Sequence, residues 1–407
     1  RILGYLRLDP PIPRMHRRTP EGVERDIRER IFPRDWFHPT YEGGADWQRA
    51  LDRVNTAAAR IARVVVHPDY RSEGFGALLV RVALEWAKER GAPEARREKH
   101  LVYTIAQMAR YHPFFEKVGF RYLFDTASGR PVLFYPLTEE AEAHLERFLR
   151  EDPYAKAHGG RLYKPRFGRV PGLPGPIRLR GVHKAYRSHL DLEGLSREVQ
   201  EALLAFGVKA RVVERAVLRG ASLEIPPGSL VVLAGASGAG KTTLLRLLLG
   251  EAPDAGEVAV PPGRRVAYIP GEREVDLGED PILEAVYRRL KDVGAAIEVL
   301  NRVGLSDAVL YRARPHELST GQRERFRLAL LLAERPDLLL IDEFAAHLDV
   351  PTARRVALGL GKLCREAGVT LVAATHRPEV VAALDPDLLV YVGYGGLTTV
   401  PRRGPRT

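Results

Sequence analysis

The octet Gly235-Ala-Ser-Gly-Ala-Gly-Lys-Thr242 constrains this chain more than any other stretch. It follows the apolar run Leu230–Ala234 and precedes the leucine-rich run Thr243–Leu249, so it reads as a turn between a buried strand and a helix. Glycines at this spacing let the backbone curl until successive N–H groups point at one spot, beside a positive helix terminus. Gly235, Ser237, Gly238, Gly240, Lys241, Thr242 and Thr243 are thus candidate ligands of a polyphosphate, with Lys241 reaching its β- and γ-phosphates and the Thr242 hydroxyl binding Mg²⁺.

A second apolar strand, Leu338–Ile341, ends in Asp342-Glu343. In a doubly wound sheet its C-terminal edge lies beside the phosphate loop, where Asp342 holds Mg²⁺ and Glu343 polarises a water in line with the γ-phosphate. Two solvated acids at a strand end are common, so the pairing with the glycine loop carries this assignment. Between the two motifs stands Leu318-Ser-Thr-Gly-Gln322, which opens a helical stretch leading into the Asp342 strand.

Here the sequence resembles the ATP-binding-cassette (ABC) ATPases, whose signature is LSGGQ. The resemblance implies that Ser319, Gly321 and Gln322 bind the γ-phosphate of ATP held by a second copy, hence a head-to-tail homodimer around two MgATP. It further implies that Asp349, in Ala346-His-Leu-Asp349, is the D-loop aspartate and that His376, after Thr370–Ala374, is the switch histidine, catalytic with Glu343. Tyr186 is the candidate adenine-stacking aromatic, with residues 188–215 inserted after it. One departure stands out: Gly271 and Glu272 occupy the place where the family carries its Q-loop glutamine, and Glu272 is the candidate substitute.

In the N-terminal part, the strand-like Ile61–His67 runs into Arg71-Ser-Glu-Gly74-Phe-Gly76, which opens an amphipathic helix reaching about Arg90, and a second strand–helix–strand set follows, ending near Pro136. With Phe114-Phe-Glu-Lys-Val-Gly-Phe120 further on, this segment resembles the GCN5-related N-acetyltransferases (GNAT) and is also similar to the Mom-type enzymes of phages, which modify adenine in DNA. The resemblance implies that Arg71, Gly74 and Gly76 cradle the pyrophosphate of acetyl-CoA or another acyl-CoA. Phe115 stands where many relatives have a proton-donating tyrosine, and Tyr103 and Tyr111 are nearby alternatives. Arg1–Asp9 reads as a central strand of that fold, with the usual preceding elements outside this sequence, which begins at Arg1 and is expected to be a fragment. Residues 10–60 read as an insertion with an amphipathic stretch Glu21–Ile31. Its aromatics Trp36, Phe37, Tyr41 and Trp47 are local core before they are a base-stacking platform.

The expected fold class is therefore α/β throughout. A GNAT-like domain (1–160) is followed by a Pro/Gly-rich linker (161–176) and an ABC ATPase, or P-loop NTPase, nucleotide-binding domain (177–400). Composition narrows the function classes. A single cysteine, Cys364, excludes a disulfide framework and a thiolate metal site. No apolar run nears the roughly 20 residues of a membrane span, and no secretory signal opens the sequence. A cytoplasmic protein without a membrane partner is the expectation. Residues 1–170 carry 31 Lys/Arg against 23 Asp/Glu, and residues 171–407 carry 32 against 29. A basic N-terminal domain suits an anionic partner such as nucleic acid, DNA before RNA; an Arg-rich, heat-adapted proteome gives the same balance. Three functions remain open: an ATP-driven machine acting on nucleic acid, an ATP-gated acyltransferase, and a docking module that has lost its acyl chemistry.

Overall fold

The computed structural model describes residues 2–12, 14–38, 56–67, 74–89, 97–190, 192–208, 211–271, 276–393 and 395–402. The chain divides into two compact units, Arg1–Arg166 and Phe167–Thr407.

Unit one contains β1 (Gly4–Asp9), β2 (Arg17–Thr19), β3 (Gly22–Glu24), α1 (Arg28–Ile31), β4 (Ala58–Val66), α2 (Phe75–Glu89), β5 (Leu101–Ile105), β6 (Arg121–Asp125), β7 (Pro131–Pro136), α3 (Glu139–Glu151) and α4 (Pro153–His158). Its sheet has the order β1-β4-β5-β7-β6, with β4 and β5 parallel and the other pairs antiparallel. Side chains alternate between two apolar clusters, as a strand period of two demands. Leu101 and Tyr103 join Phe32, Trp36, Phe37, Phe134 and Phe148 on one face, while Val102 and Leu133 join Val80, Leu84, Phe115 and Phe120 on the other. Trp36 stacks on His100 with ring centroids 4.4 Å apart, so Trp36 and Phe37 are core; Tyr41 and Trp47 lie outside the described residues.

Three sequence expectations change here. β1 is not central: among the described strands it forms the edge of the sheet, paired only with β4. Glu21–Ile31 is not one helix. Ile27 and Ile31 are buried at helical spacing, which mimics amphipathicity, but Gly22 (φ 141°) and Asp26 (φ 45°) interrupt the turn, leaving one helical turn after β3. Between β5 and β6 the expected helix is replaced by two short 3₁₀ turns, Gln107–Arg110 and Glu116–Val118, separated by Pro113, which cannot continue a helix.

Unit two contains β8 (Ile177–Leu190), α5 (Arg197–Ala205), β9 (Arg211–Ile225), β10 (Leu230–Ala234), α6 (Lys241–Leu249), β11 (Ala255–Ala259), β12 (Val266–Ile269), α7 (Ile282–Leu290), α8 (Val293–Arg302), α9 (Thr320–Ala333), β13 (Leu338–Ile341), α10 (Val350–Ala367), β14 (Thr370–Ala374), α11 (Pro378–Leu384), β15 (Leu388–Gly393) and β16 (Gly396–Pro401). The main sheet runs β12-β13-β14-β10-β15-β16, parallel except for β16, and a second antiparallel sheet runs β11-β8-β9. Central strands buried on both faces read as unbroken apolar runs. Val231, Leu233, Leu338 and Leu340 pack with α6 leucines, while Leu230, Val232, Leu339 and Ile341 pack toward α9 and α10. The inserted 188–215 stretch extends the β8/β9 hairpin, paired out to Leu190 and Arg211, and carries α5 between its strands. The Pro/Gly stretch read as a linker is packed: the Leu162 and Tyr163 N–H groups donate to Glu116 in unit one, while Phe167, Val170 and Leu173 enter the cores of unit two.

Leu340 lies in the middle of this stack and is fully buried. Leu340→Ala should cost about 2–5 kcal/mol, seen as an earlier urea transition of unit two than in the unaltered protein.

Candidate functional site

β10, β13 and β14 are parallel neighbours in register, so their C-terminal ends meet along one edge. From β10 the chain enters the phosphate loop. Gly235 (φ 147°) has no room for a Cβ, which would sit 2.2 Å from the Val392 carbonyl oxygen; at Gly240 (φ 112°) it would sit 2.5 Å from a Val217 methyl. Only glycine fits at either position, and the loop therefore folds back tightly before α6. Lys241 Nζ donates to the Gly235 and Ala236 carbonyls, both at 2.8 Å. Burial pulls its ammonium below the usual lysine range, against the opposing pull of Asp342 and Glu343. Ser237 and Gly238 are exposed on the loop, and Thr243 is buried against the α6 core.

From β13 comes Asp342, which is buried, and its Oδ2 accepts a 2.7 Å hydrogen bond from the Thr242 hydroxyl. A hydroxyl and a carboxylate this close form two adjacent hard-oxygen donors. Mg²⁺ binds such a pair while taking its other ligands from water and phosphate, so the residues present fit the ion. Among the described residues, no group of three or more His, Cys, Asp and Glu side chains is arranged for a metal. Asp342 Oδ1 also accepts from the Glu343 N–H at 3.1 Å.

Glu343 is exposed and has φ 51°, and Ala345 has φ 63°. Each costs about 1–2 kcal/mol in a non-glycine residue, so the turn after β13 is held by its surroundings. The Glu343 side chain lies against Gly271, where a Cβ would come within 3.0 Å of its Cγ, Cδ and Oε2. The missing side chain at 271 thus gives Glu343 its place. Glu272, the candidate substitute, lies outside the described residues.

Ser319 caps α9: its Oγ accepts from the Gln322 N–H at 3.3 Å, and Gln322 Oε1 accepts from the Ser319 N–H at 2.9 Å. This reciprocal capping box leaves Ser319 exposed at the N-terminus of a 14-residue helix. Gly321 lies in the first turn. Asp349 caps α10 through a 2.9 Å bond from the Thr352 N–H, and that bond holds its carboxyl below the usual range. His376 is exposed one residue beyond Thr375. Tyr186, half-buried on β8, donates to Glu251 at 3.2 Å. Opposite it on β9, Arg215 donates to the Gly238 carbonyl at 2.8 Å. Sequence reading missed Arg215, since only the hairpin register places it over the phosphate loop.

In unit one, β4 is paired with β5 over Ala58–Ile61, up to Thr104 near the end of β5, and runs on beside β1 as far as Val66. α2 starts at this end, with Gly74 at φ 87° and nothing within 4 Å of its missing Cβ. At Gly76 a Cβ would come within 3.0 Å of the Phe114 ring, so any larger residue there has to displace that ring. Arg71 lies outside the described residues. Tyr103 is no proton donor at this edge: it is fully buried, stacked on Phe134, and its hydroxyl accepts from the Ile12 N–H at 2.9 Å. Phe115 is core, edge-on to Phe114 and Phe120.

Comparison with known proteins decides the family. Residues 218–346 match the ABC transporter family and residues 42–122 the acetyltransferase (GNAT) domain family. The lipoprotein-releasing system ATP-binding protein LolD of Rhodospirillum rubrum is 35% identical over 42% of this chain and 84% of its own length. The taurine import ATP-binding protein TauB of Pseudomonas aeruginosa is 35% identical over 49% of the chain and 80% of its length. The chain belongs to the ABC ATPase family. Its ABC ATPase domain carries ATP hydrolysis, and a GNAT domain precedes it. The chain spans 56% of the length of another relative, the methionine import ATP-binding protein MetN of Mesorhizobium japonicum, at 34% identity over 46% of the chain. A bacterial ABC transporter cassette solved as a dimer aligns over 56% of the chain and all of its own, with 22% identity and a TM-score of 0.41. No helix of the described residues is long and apolar enough to cross a membrane.

In this ABC ATPase, Lys241→Ala removes the one ammonium seated in the phosphate loop. Nucleotide titration should show ATP affinity falling by more than about tenfold, or about 1.4 kcal/mol.

Proposed function

We propose that the protein is an ATP-driven switch in which two copies pair head to tail and the GNAT domain works on or with nucleic acid. The observation that supports it most is the division of the site. The phosphate loop, Asp342 and Glu343 share one sheet edge, whereas Ser319 stands exposed at a separate helix terminus, with Gly321 and Gln322 half-buried in the turn behind it. An exposed helix N-terminus bearing a serine suits the γ-phosphate of a neighbour's ATP. In this reading Gly235, Ser237, Gly238, Gly240, Lys241, Thr242 and Thr243 bind the phosphates and Tyr186 the adenine. Thr242 and Asp342 hold Mg²⁺, Glu343 activates water, and His376 and Asp349 complete the γ-phosphate end. ATP closes the pair and hydrolysis reopens it, which moves whatever the GNAT domain holds. The basic excess of residues 1–170 supports a nucleic-acid partner, and its electrostatic share would weaken with salt.

A second reading has support of its own. The stretch of β4 beyond the end of β5, with Gly74 open at the start of α2, suits an acyl-CoA lying along that edge with its pyrophosphate at the helix terminus. With Phe115 and Tyr103 both in the core, the proton for such a transfer has to come from elsewhere, and Tyr111 remains available at partial exposure.

Glu343→Gln should retain ATP and shift the protein to a dimer at saturating MgATP by light scattering; a monomer under those conditions contradicts the paired mechanism. Strong stimulation of ATP turnover by double-stranded DNA, single-stranded DNA or RNA is expected in a steady-state assay. A flat response with measurable acetyl-CoA binding by calorimetry favours the acyl-transfer reading.

A further inference from the structure

The strained turn that follows β13 is held from two sides by side chains that the phosphate chemistry leaves unused. On one side is Arg377, the residue after His376. Its Nη1 donates to the carbonyls of Ala345, at 2.7 Å, and of Leu348, while its Nε donates to Glu379 at 2.7 Å. The Arg377 side chain is only 12% exposed. On the other side is Glu324 of α9, five positions beyond Ser319. Its carboxyl faces the Ala345 N–H and lies 3.8 Å from His347 Nδ1. The same two elements meet again at Gly321, where a Cβ would come 3.1 Å from a Leu348 methyl. Thr375, just before His376, donates to the Phe344 carbonyl at 3.2 Å. Leu348 is followed directly by Asp349, the cap of α10.

One short turn is therefore bonded to the loop carrying His376 and packed against the helix carrying Ser319, and it ends in Asp349. The two carbonyls that Arg377 binds are three residues apart, at the two ends of the turn. Nη1 makes both of these bonds while Nε of the same rigid guanidinium holds Glu379, a fixed fork that a single ammonium nitrogen cannot reproduce. Interior packing transmits such displacements because close-packed groups cannot deform continuously.

We propose that Arg377 is a positioning residue for ATP hydrolysis: it ties the His376 loop to the turn 343–348, so that movement at the γ-phosphate reaches Asp349 and, through Glu324, the Ser319 helix. This rests on the reading of residues 319, 343, 349 and 376 as nucleotide-contacting groups. The alternative is a plain brace, in which the same bonds offset backbone strain and nothing else. The two differ in kinetics. A brace costs stability, and activity falls only with the folded fraction. A coupling residue sets kcat and the cooperativity between two ATP sites while leaving the affinity of each site for ATP nearly alone.

The test compares full-chain wild type, R377A, R377K and E324Q by ATP titration, steady-state ATPase kinetics and thermal unfolding. R377A should bind ATP within about threefold of wild type, lose about tenfold or more in kcat, and show a Hill coefficient moved toward one. R377K should regain part of kcat. The R377A and E324Q effects on kcat should fall short of additivity in the double variant, because both act on one turn. If R377A does not fold, R377K carries the test: reduced kcat at wild-type ATP affinity and melting temperature supports the proposal. Wild-type kcat in R377K and R377A, or a loss explained by unfolding alone, overturns it. A wild-type protein that fails to bind MgATP overturns the site reading itself, an outcome distinct from active wild type with indifferent Arg377 variants.

Discussion

Thr242 and Asp342 are 100 residues apart in the chain, and the 2.7 Å hydrogen bond between them depends on the parallel register of β10, β14 and β13. Every chemical group at the phosphate edge is placed by that register. The strands are buried on both faces, so a slip of one residue would turn Leu339 and Ile341 from one apolar cluster into the other. The same slip would turn Asp342 from the Thr242 hydroxyl into the core. Apolar packing thus holds a polar pair in alignment, and the polar pair contributes chemistry in place of stability.

The turn beyond Asp342 shows the opposite balance. Two non-glycine residues with positive φ are unfavourable by themselves, and they persist because Arg377 and Thr375 bond to the turn's backbone on one side and Glu324 lies against it on the other. Strain gathered beside Glu343 fits a site that has to change shape once per catalytic cycle. Gly271 belongs to this arrangement as well. A family position that carries glutamine elsewhere has no side chain here, and the Glu343 carboxyl packs into the space.

In unit one the same principle of alternation builds an aromatic-rich core on both faces of a mostly antiparallel sheet, with β4/β5 as its parallel pair. Tyr103 illustrates how little a residue's chemistry says about its role. On sequence it is, with Tyr111, a nearby alternative to the proton-donating tyrosine that Phe115 replaces. In the fold its strand position is odd-numbered with Leu101, which sends the ring into the apolar face, and burial raises the phenol's pKa. Pro113 likewise removes a helix that the surrounding pattern suggests, and two 3₁₀ turns fill the gap.

What was legible in the sequence is what depends on local order. The glycine loop, the apolar strands and the helix that follows Leu318–Gln322 use neighbours within a few residues, and their spacing alone specifies strand, turn and helix, whereas the capping bonds of Ser319 and Asp349 emerged only in the structure. The family followed from those motifs. What only the tertiary structure decided is which distant groups touch. β1 lies at an edge because of its pairing, Arg215 reaches the phosphate loop because of hairpin register, and Arg377 meets the turn after β13 because β14 runs beside it. Local sequence determines a residue's conformation through short-range sterics and hydrogen bonds, whereas its partners across the sheet depend on a packing of the whole core that no single segment encodes.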